Sequence, residues 1–190
     1  MKITNYNLIL GSSSPRRKEI LENMGIDFTI RTSEKDEIFP KNLKTKKVSV
    51  FLAQQKSENL FNSLSDEELL ITADTVVIKN NMILGKPKNK TEAKKMLQTL
   101  SNSNHEVITS VCLTSLRKSE AFSEKTIVYF SELSIKMIDF YIEKYKPFDK
   151  AGSYGIQEWL GLVSISRIEG SYTNVVGLPS SKLYEKIRNF

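Results

Sequence analysis

YNLILGSSSPRRKEILENMGIDFTIRTS, residues 6–33, decides the class of fold. Its opening run, YNLILG at 6–11, has the length of one buried strand and stops at a glycine. Ser14 followed by Pro15 is an N-cap and first-turn signal. A helix is therefore expected from Pro15 to Met24, with Ile20, Leu21 and Met24 on its inner stripe and Gly25 as its stop. Residues 27–33 (DFTIRTS) read as a second strand. Strand, helix and strand in this order begin an α/β fold.

The rest of the chain extends that pattern. Residues 34–47 are polar and lysine-rich and lead into a helix over 46–62, with Val48, Phe51 and Leu52 on one face. LLITADTVVI at 69–78 is a nearly continuous β-branched strand. Asn80–Asn81 suits a tight hairpin turn, with 82–85 (MILG) returning. Thr91 is expected to cap a helix whose inner residues are Ala93, Met96, Leu97 and Leu100. Strands follow at 106–116 and 121–132, joined by RKSE. Ser134 opens a helix carrying Ile138, Tyr141, Ile142 and Tyr145. A glycine-containing loop at 146–157, a strand at 161–168 and a terminal amphipathic helix at 178–190 complete the chain. Hairpins interrupt any regular βαβ rhythm. The reading is one α/β unit over residues 1–190, with two lobes around a cleft.

Composition narrows the function classes. Of 190 residues, 39% are apolar and 26% charged, which is globular usage. No apolar run approaches the ~18 residues of a membrane span, and Leu8–Leu10 is too short for a signal-peptide core. One cysteine, Cys112, excludes an internal disulfide and a four-cysteine zinc site. A cytoplasmic protein is expected. The net charge of +6 reads first as a lysine-rich solvated surface. A small, highly anionic substrate suits the same balance. Nucleic acid is not expected as a partner: only six of the 28 cations are Arg, the better base and phosphate reader, and no aromatic RNA-binding motif appears.

Four segments could carry chemistry. GSSSPRR at 11–17 turns a strand into a helix, whose N-terminus is an anion site in waiting. Arg16 and Arg17 sit in its first turn, against the helix dipole. Either a bound phosphate resolves that conflict, or the helix is an ordinary capped one with arginines in solvent. Asp74 interrupts an apolar strand. It is a structural, hydrogen-bonded carboxylate, or it is a general base or Mg²⁺ ligand. Lys56 and Lys86 are two of 22 lysines, but Lys86 follows the hairpin opposite the Asp74 strand. DKAGSYGIQ at 149–157 is a compact polar loop, either a plain connection or one that lets backbone approach a ligand, and Gln157 offers both a donor and an acceptor. His105, the only histidine, reads as a surface residue, and Cys112 as core.

Together these segments resemble the Maf family of nucleoside triphosphate pyrophosphatases. The matching residues are Ser12, Ser14, Pro15, Arg16 and Arg17, then Lys56, Ala73–Asp74–Thr75, Gly85–Lys86–Pro87, 149–157 and Asn174–Pro179 (NVVGLP), in the family's order. The resemblance implies a two-lobed mixed α/β fold with an elongated central sheet flanked by helices, similar to inosine triphosphatase. It implies cleavage between the α- and β-phosphates with a divalent cation, Mg²⁺ or Mn²⁺, and a homodimer. Asp74 then resembles the catalytic base and a metal ligand. Ser12, Ser14, Arg17, Lys56 and Lys86 resemble the phosphate cradle. Asp36 or Glu37 resembles a carboxylate near the metal. Arg16, Thr75 and Gln157 match the branch that prefers dTTP and UTP; the 7-methyl-GTP branch tends to carry Trp, Gln and Glu there. Two other readings stand beside this one: a regulatory or nucleic-acid-binding protein of cell division, and an enzyme of the same family with another base preference.

Overall fold

The computed structural model describes residues 3–33, 35 and 38–190. The elements in chain order are β1 (Asn7–Leu10), α1 (Pro15–Asn23), β2 (Phe28–Ile30), α2 (Thr45–Phe61), β3 (Glu68–Lys79), β4 (Met82–Leu84), α3 (Lys90–Leu100), β5 (Ser103–Thr114), β6 (Ser119–Phe130), α4 (Ile135–Tyr145), α5 (Trp159–Ser164), β7 (Ile165–Glu169), α6 (Tyr172–Val176) and α7 (Ser180–Arg188). Two short 3₁₀ turns, Pro147–Asp149 and Ala151–Ser153, lie between α4 and α5. The strands pair in the order β2-β1-β3-β5-β6-β7, with β4 also on β3. β1 is parallel to both β2 and β3, whereas β4 and β7 pair antiparallel. This is the mixed α/β architecture expected from the sequence.

Two compact units divide the chain, each with its own core. The first comprises Met1–Asp74, Thr109–Glu124 and Gly177–Phe190. Leu10, Leu21, Ile71, Leu113, Leu178 and Leu183 lie at its centre. The second comprises Thr75–Ile108 and Lys125–Val176 and is centred on Leu97, Leu100, Val128, Ile138, Tyr141 and Leu160. No helix of the described residues is long and apolar enough to cross a membrane.

Local chemistry explains the element ends. α1 starts at Ser14–Pro15 and stops in a Schellman motif. The Gly25 N–H donates to the Glu22 carbonyl at 2.9 Å and the Ile26 N–H to the Leu21 carbonyl at 3.3 Å, with Gly25 at φ +67°. Asn80 and Asn81, at φ 50° and 59°, form the expected tight turn before β4.

Four expectations need correction. α3 is capped by Asn89, not Thr91: the Asn89 side chain accepts from the Glu92 N–H at 2.9 Å. The β5–β6 turn sits two residues early, because the Ser115 hydroxyl accepts from the N–H groups of Arg117 and Lys118. The strand expected at 161–168 is half helix. Leu160, Gly161 and Ser164 are buried at helical spacing while Leu162 is 78% exposed, so only Ile165–Glu169 joins the sheet. His105 is not a surface residue: it is 2% exposed, stacks on Phe130 and shares a 2.7 Å hydrogen bond between Nε2 and the Tyr154 hydroxyl.

Burial, aided by nearby Lys79, pushes the His105 imidazole down to about 3. Its Nδ1 has no hydrogen-bond partner among the described residues. Between pH 6.5 and about 3 the unfolded chain binds a proton there that the folded chain refuses, so stability falls as pH falls through that window. The expected loss attributable to this group is about 1.4 kcal/mol on going from pH 7.5 to 5.5. Urea midpoints at the two pH values should show that extra loss in the wild type and not in His105→Phe. An equal response in both proteins assigns the acid sensitivity elsewhere.

Candidate active site

In the first unit the chain leaves β1, forms α1 and β2 on one side, then returns through α2 to β3 on the other. The order β2-β1-β3, with β1 parallel to both neighbours, makes the carboxyl end of β1, beside mid-β3, a topological switch point, the place where open α/β sheets bind ligands. Gly11 is required there. A Cβ on it would come within 2.6 Å of Thr72 Cγ2 and 3.0 Å of Leu70 Cδ1. Without one, the Gly11 N–H reaches the Ile71 carbonyl at 2.8 Å and the chain turns through Ser12–Ser14 into α1.

The arginine pair of that turn divides its work. Arg17 is 8% exposed, so it is no solvent-facing arginine. Its Nε donates to the Gly177 carbonyl at 2.9 Å and its Nη1 to Ser12 Oγ at 3.1 Å; the Ser14 N–H also donates to Ser12 Oγ, at 3.3 Å. Arg16 is half-buried. Ser14 makes no side-chain cap bond, and the first turn of α1 holds no acidic residue. Nothing acidic within that turn therefore offsets the positive end of the dipole.

Asp74, 8% exposed, lies in β3 just past the segment that pairs with β1. Lys56 reaches it from α2. Lys56 Nζ donates to Asp74 Oδ1 at 2.8 Å and to the Ala73 carbonyl at 3.3 Å. One turn before Lys56, the Ala53 carbonyl accepts from the Thr72 hydroxyl at 2.7 Å, which anchors the helix on the strand. The pair is a partly buried carboxylate and ammonium on rigid elements, with Ser12 in the turn that follows adjoining β1 and Arg17 in the first turns of α1.

The other candidates belong to the second unit. Thr75, half-buried, stands two residues before Val77, and Lys86, exposed, two residues after Leu84; Val77 and Leu84 are paired in the hairpin. No hydrogen bond or ion pair engages Lys86 among the described residues. The Gly85 carbonyl accepts from the Gly152 N–H at 3.1 Å, which ties this segment to the 149–157 loop. In that loop Lys150 is buried between Asp149 Oδ1 at 2.8 Å and Glu158 Oε1 at 3.1 Å. Gln157 is exposed. Asp36 and Glu37 lie outside the described residues.

Sequence reasoning missed Tyr141 and Glu158. Tyr141 read as core, and its ring is fully buried, but its hydroxyl donates to Glu158 Oε2 and accepts the Gly155 N–H at 3.0 Å. Burial first, then the Glu158 carboxylate, push its phenol well above the ordinary value. The available signal was the tyrosine itself, because a buried hydroxyl needs a partner.

With this geometry in place, the comparisons give the class. The chain belongs to the Maf family: residues 7–190 match the family described as Maf-like protein. A relative from Flavobacterium psychrophilum, named dTTP/UTP pyrophosphatase, is 50% identical over 188 residues, 99% of this chain and 96% of its own. One from Christiangramia forsetii with the same name is 47% identical, covering 98% and 95%. Among solved structures, the Staphylococcus aureus Ham1 protein superposes at a TM-score of 0.44 with 9% identity, over 65% of this chain and 71% of that one, a likeness too weak to argue from.

The family implies a divalent metal. No group of three or more His, Cys, Asp or Glu gathers among the described residues, so they form no all-protein cage. A single strand carboxylate, Asp74, fits instead the way Mg²⁺ is held, by one or two carboxylates together with substrate phosphates.

Arg17 and Lys86 should separate by stability. Arg17→Ala leaves the Gly177 carbonyl without its charged donor and should cost about 2 kcal/mol, roughly 4–8 °C in Tm. Lys86→Ala should stay within about 0.5 kcal/mol of wild type. Thermal unfolding of the two variants checks this, and equal Tm values would remove the structural role given to Arg17.

Proposed function

We propose that this chain is a nucleoside triphosphate pyrophosphatase that hydrolyses dTTP and UTP to the monophosphate and pyrophosphate, clearing such nucleotides from the pool. The observation that carries the reading is the Lys56–Asp74 pair, set in β3 just past the carboxyl end of β1, where the Ser12–Arg17 turn begins. The names of the near full-length relatives support the substrate class.

The chemistry follows from the residues. Water attacks the α-phosphorus, its proton passes to the Asp74 carboxylate, and pyrophosphate leaves. Lys56 fixes the orientation of that carboxylate through Oδ1. A triphosphate brings about four negative charges, so Ser12, Ser14, Arg17, Lys56 and Lys86 serve as donors and cations along it. Asp74, together with the substrate phosphates, would hold a divalent metal, which would neutralise charge on the phosphoryl oxygens. Gln157, with Thr75 and Arg16, selects the base, because an amide matches the donor and acceptor of the uracil or thymine imide. Catalysis is mostly positioning and charge stabilisation.

The direct test is pyrophosphate release across a panel of nucleotides with Mg²⁺ or Mn²⁺. Asp74→Asn keeps an oxygen acceptor for Lys56 and removes the base, so turnover should fall about 10²- to 10⁴-fold while nucleotide binding persists. A folded Asp74→Asn protein with wild-type release sinks this mechanism.

Base selection has its own test. Gln157→Glu replaces an NH₂ donor with an acceptor that faces the O4 carbonyl of uracil or thymine. kcat/KM for UTP and dTTP should fall roughly ten- to a hundredfold, and CTP, with an amine at that place, should lose less or gain. An unchanged UTP-to-CTP ratio shows that Gln157 does not read the base.

A further inference from the structure

Lys150, Glu158 and Tyr141 form a polar cluster, half-buried at Glu158 and buried at the other two, that the proposed reaction does not use. Lys150 is 8% exposed and Tyr141 fully buried. Lys150 Nζ lies 3.1 Å from Glu158 Oε1, the Tyr141 hydroxyl donates to Glu158 Oε2, and the Gly155 N–H donates to the Tyr141 oxygen at 3.0 Å. Both carboxylate oxygens of Glu158 are therefore held, one from each side. Three points of the loop, residues 150, 155 and 158, are tied to one another and to α4. Gln157 stands inside that closure, exposed, between buried Ile156 and tethered Glu158. No hydrogen bond holds its own side chain among the described residues.

The backbone around the cluster leaves little slack. Gly152 and Ser153 both have positive φ, 69° and 65°, and Ser153 is fully buried. A Cβ on Gly155 would lie 2.9 Å from Glu158 Cδ, and one on Gly161 only 1.9 Å from the Ile156 carbonyl oxygen. The loop can be drawn this tightly only because those two positions carry no side chain.

We propose that Lys150, Glu158 and Tyr141 are positioning residues for base selection: they hold the 150–158 loop so that Gln157 meets the pyrimidine edge in one fixed place. This rests on the dTTP/UTP reading above. A base-reading amide discriminates only if it cannot swing to accommodate the wrong edge, because a relaxed loop lets Gln157 offer donor or acceptor to either base. Tyr141→Phe removes one hydroxyl with almost no change in volume. It frees the Gly155 N–H and one oxygen of Glu158. Lys150→Met removes the ammonium from the other side.

The experiment measures kcat/KM for UTP and CTP, inhibition by inorganic triphosphate, and amide exchange at Gly155, in wild type, Tyr141→Phe, Lys150→Met and Lys150→Arg. Tyr141→Phe and Lys150→Met should each lower the UTP-to-CTP ratio about tenfold, the worth of one well-placed hydrogen bond. Inhibition by triphosphate, which has no base, should stay within about twofold of wild type. Gly155 exchange should quicken in Tyr141→Phe, and Lys150→Arg should keep the wild-type ratio. Adding Tyr141→Phe to Gln157→Ala should lower the ratio no further than Gln157→Ala alone, because the cluster acts through that side chain. An unchanged ratio in both Tyr141→Phe and Lys150→Met, additive behaviour with Gln157→Ala, or a parallel loss of triphosphate binding each overturns the proposal. Absence of wild-type turnover on dTTP and UTP overturns the activity reading itself, a result distinct from an active enzyme whose ratio does not move.

Discussion

Thr72 stands where three requirements of the first unit meet. Its methyl would lie 2.6 Å from any Cβ at position 11, so β1 can run beside β3 only with Gly11 there. Its hydroxyl donates to the Ala53 carbonyl at 2.7 Å, which sets α2 against the strand and brings Lys56, one turn later, onto Asp74. The parallel register that pairs Leu10 with Ile71 then ends β1 there, while β3 runs on past it. From that point the chain passes through Ser12 into α1 on one strand and through Ala73 to Asp74 on the other. Moving this residue's contacts would shift the turn, the helix and the carboxylate together. A fully buried polar side chain that satisfies its hydroxyl in this way is more constraining than an apolar one of the same volume, because it has only one acceptable partner.

The cations are held in two different ways. Several lysines are matched at the surface: Lys90 with Glu143 and Lys94 with Asp139 join α3 to α4, and Lys182 with Glu124 and Lys186 with Glu120 join α7 to β6. Such exposed pairs are each worth at most about 1 kcal/mol and are screened by salt. These four pairs engage four of the 22 lysines without any ligand. Arg17, Lys56 and Lys150 differ in kind. Arg17 and Lys150 are buried and Lys56 is half-buried, and each is held by named acceptors that fix particular backbone segments.

Elements with a strong local signal were legible. The β-branched run of β3, the Asn80–Asn81 turn, the Ser14–Pro15 helix start and the Gly25 stop each rest on chemistry confined to a few neighbouring residues. What was not legible depended on residues far apart in the chain. The apolar run puts Leu162 and Val163 in one strand with Ile165, because it does not reveal that Gly161 must sit against the Ile156 carbonyl in a helix. His105 reads as a surface residue from its neighbours because its partners, Phe130 and Tyr154, come 25 and 49 residues later. The motif residues were found through their order along the chain. Their roles divided only in three dimensions: Arg17 is buried against Gly177 while adjacent Arg16 is half-buried, and Glu158 is tethered while adjacent Gln157 is exposed.

That alternation has an energetic reason. Taking Lys150 and Glu158 out of water costs several kcal/mol per ion before their attraction is counted, and apolar residues of similar volume would commonly be no less stable. The Tyr141 hydroxyl adds a third group that must be satisfied, and Gly152 and Ser153 add backbone held in the left-handed region. A loop built only to connect α4 to α5 would gain nothing from this arrangement. Its return is geometric. An ion pair and two hydrogen bonds have preferred directions, whereas apolar packing tolerates sliding, so the cluster sets the course of the backbone between residues 150 and 158 more narrowly than a greasy plug could. The one long polar side chain left outward within that span is Gln157, so the backbone course that the cluster sets is the one that carries this amide.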